Sequence, residues 1–373
     1  MTCLAAREKH MPKHNKNETW AGDDSTGELV VNSFDGGNGH DDIRGGNSLS
    51  NEGLGFVINT LFGGNGNDTV HGGSARGGRV ENNLSGGNGN DDIRGGDASP
   101  EVNEGPSFRG VVVTHAFGDN GDDRFTSGNA ISGSLENHFS GGNGDDEYVG
   151  GSAAQAGEIT EYFDGGAGND VGLGSSLNNR FVFSYFSGGQ GDDILTGGST
   201  REGLLETHFS GDEGNDVLTG ASGNVRGTVR NNLSGGAGDD TVIGGSVEHT
   251  ATVSNALFGG DGNDTLVAGR SLGNFGFPIL AVENELTGGR GSDTFVFMPG
   301  LINPPEPGNR QTISTITDFE PGKDRVDLSG YEFATFQDVL DVTDEGGTIT
   351  LAGNATVSLN LAKTLLSEGD FIV

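Results

Sequence analysis

A nine-residue motif recurs eleven times in this chain and leaves few folds open to it. Its first glycine falls at Gly36, Gly63, Gly86, Gly118, Gly141, Gly165, Gly188, Gly211, Gly235, Gly259 and Gly288. Successive copies are 27, 23, 32, 23, 24, 23, 23, 24, 24 and 29 residues apart, a period of 23 to 24 with insertions at the longer steps. Positions 1 and 4 are Gly and position 6 is Asp in every copy; position 8 is apolar in ten and Gly172 in the other. The pattern is G-G-x-G-x-D-x-U-x, with U apolar. An invariant glycine within the chain's own repeats marks a backbone with φ > 0 or a very close approach. An apolar residue between polar or small neighbours marks a short strand with one inward side chain. Glycine loop, short strand and return loop, repeated, describe a β-solenoid.

The other half of each repeat has its own register. V-x-N-x-L or a relative precedes the glycine pair, as in Val57-Ile-Asn59-Thr-Leu61, Val80-Glu-Asn82-Asn-Leu84, Val229-Arg-Asn231-Asn-Leu233 and Val282-Glu-Asn284-Glu-Leu286. Leu84 stands where an inward apolar residue of a second motif would stand, and Asn82 where its Asp would. This half therefore reads as a decayed motif whose loop has grown to about fourteen residues, which predicts two strands and two unlike edges per coil. The Asn column (Asn59, Asn82, Asn137, Asn231, Asn255, Asn284) is expected to form amide ladders between coils.

Composition narrows the function classes. Of 373 residues 71 are Gly, but only 9 are Pro and Gly is not one residue in three, so collagen is excluded. The net charge is -34, which disfavours nucleic acid and favours cations as partners. The single cysteine, Cys3, allows no internal disulfide. No apolar run approaches the ~18 residues of a membrane span. The polar, basic start lacks the apolar core of an N-terminal signal peptide.

The charge is concentrated on one edge. Positions 1 to 7 of the eleven loops hold 22 acidic residues and two Arg. In a solenoid, equivalent positions stack ~4.8 Å apart. Two carboxylates at that distance repel by about 1 kcal/mol in bulk water and about 3.5 kcal/mol at an effective dielectric of 20. Repeated over eleven rungs, that exceeds the few kcal/mol that hold most domains together. A cation between the rungs is required. Ca²⁺ fits, because it takes 6 to 8 oxygens from carboxylates and carbonyls in flexible geometry. The loops offer no Cys and one His, His40 at position 5, against zinc or copper.

These loops resemble those of the RTX (hemolysin-type) calcium-binding proteins that Gram-negative bacteria export by type I secretion. The resemblance implies an all-β, right-handed parallel β-roll of about eleven coils, with Ca²⁺ held between neighbouring loops by the position 6 Asp and loop carbonyls. The implied ligands are Asp41, Asp68, Asp91, Asp123, Asp146, Asp170, Asp193, Asp216, Asp240, Asp264 and Asp293. Ten gaps allow up to ten ions, which would bring the charge from -34 to -14. Family rolls usually carry motifs on both edges, whereas here the Asn edge is expected to be empty of metal. The implied organisation is a polar leader (1–29), the roll (30–297), and a small C-terminal β cap with the secretion signal (298–373).

The tail supports that division. ISTITDFEPGKDRVDLSGYEF resembles the segment that follows the roll in RTX proteases and epimerases, where it caps the exposed strand edge. Asp318, Asp324 and Asp327 are open to two roles, one more ion site or turns and strands. The closing LLSEGDFIV resembles an uncleaved type I secretion signal, so the expected location is extracellular. Low cytosolic Ca²⁺ would keep the chain unfolded for passage, and external Ca²⁺ would fold it.

No catalytic constellation accompanies the roll: H-E-x-x-H and the P-loop are absent, and the chain is expected to be non-catalytic. One outward column, His115, His138, Tyr162, Tyr185 and His208, suits glycan or a transition metal, or reflects the preference of strands for such residues. Two classes remain. One is a free-standing secreted calcium-binding protein, structural or adhesive, that contacts a glycan or cell-surface target. The other is a non-catalytic secretion or carbohydrate-binding module of an exported enzyme or toxin system.

Overall fold

Side-chain alternation decides the local structure: a stretch with every second residue apolar buries one face as a strand. In the computed structural model such a strand precedes every glycine pair. The structure describes residues 7–10, 16–49, 55–99, 109–155, 157–178, 180–272, 282–300, 312–352 and 355–373. Cys3 and the Pro-rich stretch 301–311 lie outside them. The chain forms two units, Met1–Gly189 and Gln190–Val373.

In the first unit the long strands Leu29–Asn38, Phe56–Asn65, Arg79–Asn88, Val111–Asn120, Ser134–Asn143 and Glu158–Ala167 pair in parallel in chain order. Arg7–His10 pairs in parallel with the first of them. The short strands after each loop form a second parallel column: Thr19–Ala21, Asp42–Arg44, Thr69–His71, Asp92–Arg94, Arg124–Thr126, Glu147–Val149 and Val171–Leu173. A solenoid of parallel coils is what the repeat predicts.

The structure corrects the expectation of two strands per coil. A third parallel column runs through Ala75–Arg76, Ala98–Ser99, Ala130–Ile131, Ser152–Ala154 and Ser176–Leu177. The return loop bends twice, and small inward residues make the second bend fit: Ser48, Ala75, Ala98, Ala130 and Ala153 are all buried.

In the second unit the long strands Gly203–Glu213, Gly227–Ala237, Thr252–Asp261, Val282–Arg290, Thr312–Ile316 and Ala355–Ser358 stack in parallel, and Thr348–Leu351 closes the sheet antiparallel to the last. The short column runs from Ile194–Thr196 to Arg325–Asp327 and Phe371–Ile372. The C-terminal region adds one short helix, Phe336–Asp341, opened by a capping box between Thr335 and Asp338.

Each coil turns one to three large apolar side chains inward, such as Val80, Leu84 and Ile93. Few apolar residues therefore suffice. The exception at Gly172 has a physical reason. It pairs with Tyr148, whose fully buried ring lies 5.2 Å from Phe186 and 5.8 Å from Phe163, so the aromatic ring fills the core at this level in place of an apolar position 8 residue.

The Asn column is buried and, except at Asn137, laddered; Asn137 instead donates to Ser127 Oγ (2.8 Å). Asn32, which the sequence analysis did not include, donates to Asn59 (2.9 Å), Asn59 to Asn82 (2.8 Å), Asn231 to Asn255 (2.7 Å) and Asn255 to Asn284 (2.7 Å). Each amide also holds the opposing turn: the Asn255 oxygen accepts the Gly245 N–H at 2.9 Å, and its NH₂ donates to the Gly245 carbonyl at 3.0 Å. Glu161 takes an Asn position in one coil, where it accepts from Ser184 Oγ (2.8 Å), Ser175 N–H (3.0 Å) and Tyr148 OH (3.1 Å), and burial pushes its carboxyl up.

Candidate metal centre

The loop geometry follows from which positions can do without a side chain. Position 4 glycines have φ of 125° to 155°, from Gly89 to Gly262. At Gly144 a Cβ would also collide with the carbonyl oxygen of Gly121 one coil earlier. Position 2 has positive φ as well, including the two copies that carry Asp there, Asp119 (74°) and Asp212 (75°). Position 1 is glycine for another reason. A Cβ at Gly141 would overlap the Oδ2 of Asp146 and lie 2.6 Å from the carbonyl oxygen of Gly165 in the next coil. The missing side chain makes a small cradle shared by a carboxylate and a carbonyl oxygen, and the same arrangement recurs at Gly36, Gly63, Gly118, Gly165, Gly211 and Gly259.

All eleven position 6 aspartates are buried, at 3 % exposure or less. Their carboxylates form a directed row. In the first unit the Asp41 N–H donates to Asp68 Oδ1, Asp68 to Asp91, Asp91 to Asp123, Asp123 to Asp146 and Asp146 to Asp170, all at 2.7–2.8 Å. In the second, Asp193 donates to Asp216, Asp216 to Asp240, Asp240 to Asp264 and Asp264 to Asp293, at 2.8–2.9 Å. The other oxygen has no such donor: Oδ2 of Asp41, Asp68, Asp91, Asp123, Asp146, Asp216, Asp240 and Asp264 is buried without a hydrogen-bond partner. Leaving a carboxylate oxygen so placed is costly unless a ligand meets it.

Electrostatics agree. Desolvation first, with neighbouring aspartates adding to it, pushes Asp146 up to about 8, and Asp91 and Asp240 up to about 7. Asp123, Asp170 and Asp264 are pushed up to about 6, and Asp41, Asp68, Asp216 and Asp293 are also raised by burial. The protein environment thus disfavours the charged form of the very groups that the sequence repeats without exception.

Among the described residues no three Asp, Glu, His or Cys side chains converge on one point. The carboxylates stand in single file, so any ion's remaining ligands are backbone carbonyls. Hard carboxylate and carbonyl oxygens in a flexible shell suit Ca²⁺, whereas a Zn²⁺ site needs converging nitrogen or sulfur. The donor set fits calcium.

A second row, not expected from the sequence, runs beside the first. Position 5 is Asp or Asn in nine motifs, and its side chain accepts the position 5 N–H of the following coil: Asp145 N–H to Asp122 (3.1 Å), Asp239 to Asn215 (2.8 Å), Asn263 to Asp239 (2.7 Å). The preference for a short acceptor was the available signal. Beyond the motifs, Asp324 stacks under Asp293, but both its oxygens are used, by the N–H groups of Asp293 (3.1 Å) and Glu320 (2.8 Å). Asp318 accepts from Gly288 and Gly289, and Asp327 from Ser329. Of the two roles left open for these three, turns and strands are the one the geometry carries.

The outward ring column is brought together in the first unit. His115, His138, Tyr162 and Tyr185 stack with centroids 4.7, 4.3 and 5.2 Å apart and planes within 25°. The rings cover one another's faces. His208, in the second unit, lies 3.0 Å from Glu206.

Comparison with known families completes the picture. The model of the RTX calcium-binding nonapeptide repeat (4 copies) matches residues 58–77, 185–200, 208–225 and 227–246. The chain is an RTX calcium-binding repeat protein. The model of the peptidase M10 serralysin C-terminal region matches residues 244–370, so this RTX protein carries both the repeats and a region similar to that one. No curated protein matches the sequence. Both matched regions of the RTX protein are non-catalytic and typical of secreted proteins.

Proposed function

We propose that this RTX protein folds on binding a ladder of Ca²⁺ ions and serves a structural or adhesive role outside the cell. The ligands in this proposal are the eleven position 6 aspartates, Asp41 through Asp293, with up to ten ions between successive loops. The observation that carries it is the row of buried Oδ2 atoms, each at a cradle where only glycine fits and most without a donor. In the proposed organisation, residues 30–297 form the ion-binding roll, and 298–373 form the cap and an export signal read by a type I machinery. Ions between rungs remove the repulsion that otherwise opposes stacking, so binding and folding are one event.

Far-UV circular dichroism of the purified chain, titrated with Ca²⁺ and separately with Mg²⁺, tests this. Conversion from a disordered to a β-type spectrum by Ca²⁺ alone, reversed by chelator, is expected. A chain already β-folded after exhaustive chelation sinks the proposal. The match to a serralysin C-terminal region favours a second reading, a non-catalytic module of an exported enzyme system. Co-purification with an exported hydrolase would select that reading.

A further inference from the structure

In the second unit, five short strands turn two side chains outward around one buried residue. The outward pairs are Ile194 and Thr196, Val217 and Thr219, Thr241 and Ile243, Thr265 and Val267, and Thr294 and Val296. All ten are β-branched, none is charged, and every strand offers one Thr and one Ile or Val. Parallel pairing sets them in register, Ile194 beside Val217, Thr241, Thr265 and Thr294, and Thr196 beside Thr219, Ile243, Val267 and Val296. The result is two columns of five, with rungs ~4.8 Å apart. Ile194 and Val217 are 45 % and 36 % exposed and the other eight are half-buried among their neighbours. Arg325 and Asp327 end the face on the next rung.

Strand propensity alone does not produce it. In the first unit the same two outward positions mix charged and neutral side chains: Asp42, Arg44, Asp92, Arg94, Arg124 and Glu147 stand among Thr69, His71, Thr126, Val149, Val171 and Leu173. A chain of net charge -34 thus keeps charge off all ten outward positions of these five strands.

The chemistry narrows the occupant. Five rungs by two residues span roughly 20 by 10 Å, far below the ~800 Å² per partner of a stable protein interface. Sugar sites rely on aromatic walls and a few directed polar groups, and this face has neither ring nor carboxamide. A neutral ligand that is itself periodic and extended remains. We propose that this face binds the surface of ice. Each rung supplies one hydroxyl that can donate and accept, set among methyl groups that keep mobile water off. β-Branched side chains are stiff at χ1, so each hydroxyl is positioned before water meets it, in one column at Thr196 and Thr219 and in the other at Thr241, Thr265 and Thr294. A charged side chain would hold its own hydration shell and break the lattice.

The proposal rests on calcium-dependent folding only in that the face exists in the folded chain. The test is the growth habit of a single ice crystal and the thermal hysteresis of the full chain in Ca²⁺, with circular dichroism on the same sample. Faceted crystals and measurable hysteresis are expected, both lost in Thr265→Lys and in Val217→Lys and both kept in Thr126→Lys on the first unit. Two surface positions are used so that a folding defect in one leaves the other to decide. Round crystals without hysteresis from a β-folded chain overturn the proposal, as does full activity in both face variants. A dimeric mass by light scattering that Thr265→Lys reduces to the monomer reassigns the face to a second copy, and retention on chitin or cellulose reassigns it to a neutral glycan. A disordered spectrum in Ca²⁺ overturns the folding proposal and this face with it.

Discussion

Gly141 and Asp146 compete for one small volume, and the motif spells out the winner. Position 1 has no positive φ at Gly141, so alanine there meets no backbone penalty and acts on the cradle alone. Gly141→Ala is expected to destabilise the Ca²⁺-loaded fold by ~1–3 kcal/mol, the usual cost of overpacking, and to raise the Ca²⁺ midpoint. Urea denaturation at saturating Ca²⁺ and a circular dichroism titration measure the two effects. Protonation acts on the same carboxylates. Their folded-state values lie above the unfolded value of 3.8, at about 6 to 8 for Asp91, Asp123, Asp146, Asp170, Asp240 and Asp264. The ion-free fold therefore binds more protons than the unfolded chain. The stability this contributes is complete below the unfolded value and is lost as pH rises through about 6 to 8. Calcium-free protein should hold more β structure at pH 5 than at pH 8; the opposite order would mean that the buried carboxylates are not what opposes folding.

At the level of the strand, the coil is held from two sides by different chemistry, ion-seeking carboxylates at the loops and amides at the opposite turn. Asn255→Ala removes the partners of the Gly245 N–H and carbonyl and breaks the ladder to Asn284. A loss on the order of 3 kcal/mol is expected from unsatisfied buried groups, read by urea denaturation, with the Ca²⁺ stoichiometry from calorimetry unchanged. The strands beside the motif were legible in the sequence because Asp and the apolar position recur at fixed spacing. The Asn ladder was legible for the same reason, except Asn32, which sits outside the quoted V-x-N-x-L copies. The third column was not legible. Its strands are two or three residues long and its inward side chains in the first unit are Ala or Ser apart from Leu177, so neither periodicity nor bulk announces it. The role of position 1 was likewise hidden: sequence shows that glycine is required, but only the geometry shows that a carboxylate oxygen, not φ, requires it.

For the whole molecule the question is what kind of positive charge can relieve an edge with 22 acidic residues in its loops. Monovalent salt at physiological strength screens over ~8 Å, longer than the ~4.8 Å between rungs, so a diffuse ion atmosphere leaves most of the repulsion between neighbouring rungs in place. Sodium chloride at about 0.15 M is thus expected to leave the chelated chain disordered by circular dichroism, where millimolar Ca²⁺ folds it. Folding by salt alone would mean that diffuse charge, not bound ions, is what matters. The row of Asp N–H bonds also has a sense. Within each unit, each coil with a successor there gives its Asp N–H to the carboxylate of the coil that follows it in sequence, and Asp324, at the far end of the second unit, has its remaining oxygen met by Glu320 within its own loop. A coil without its successor is incomplete, whereas one without its predecessor merely has an acceptor to spare. A ribosome makes the predecessor first. Assembly within each unit is therefore favoured in the reverse of the order of synthesis, and the early coils of a nascent chain have nothing to close on until the last are made.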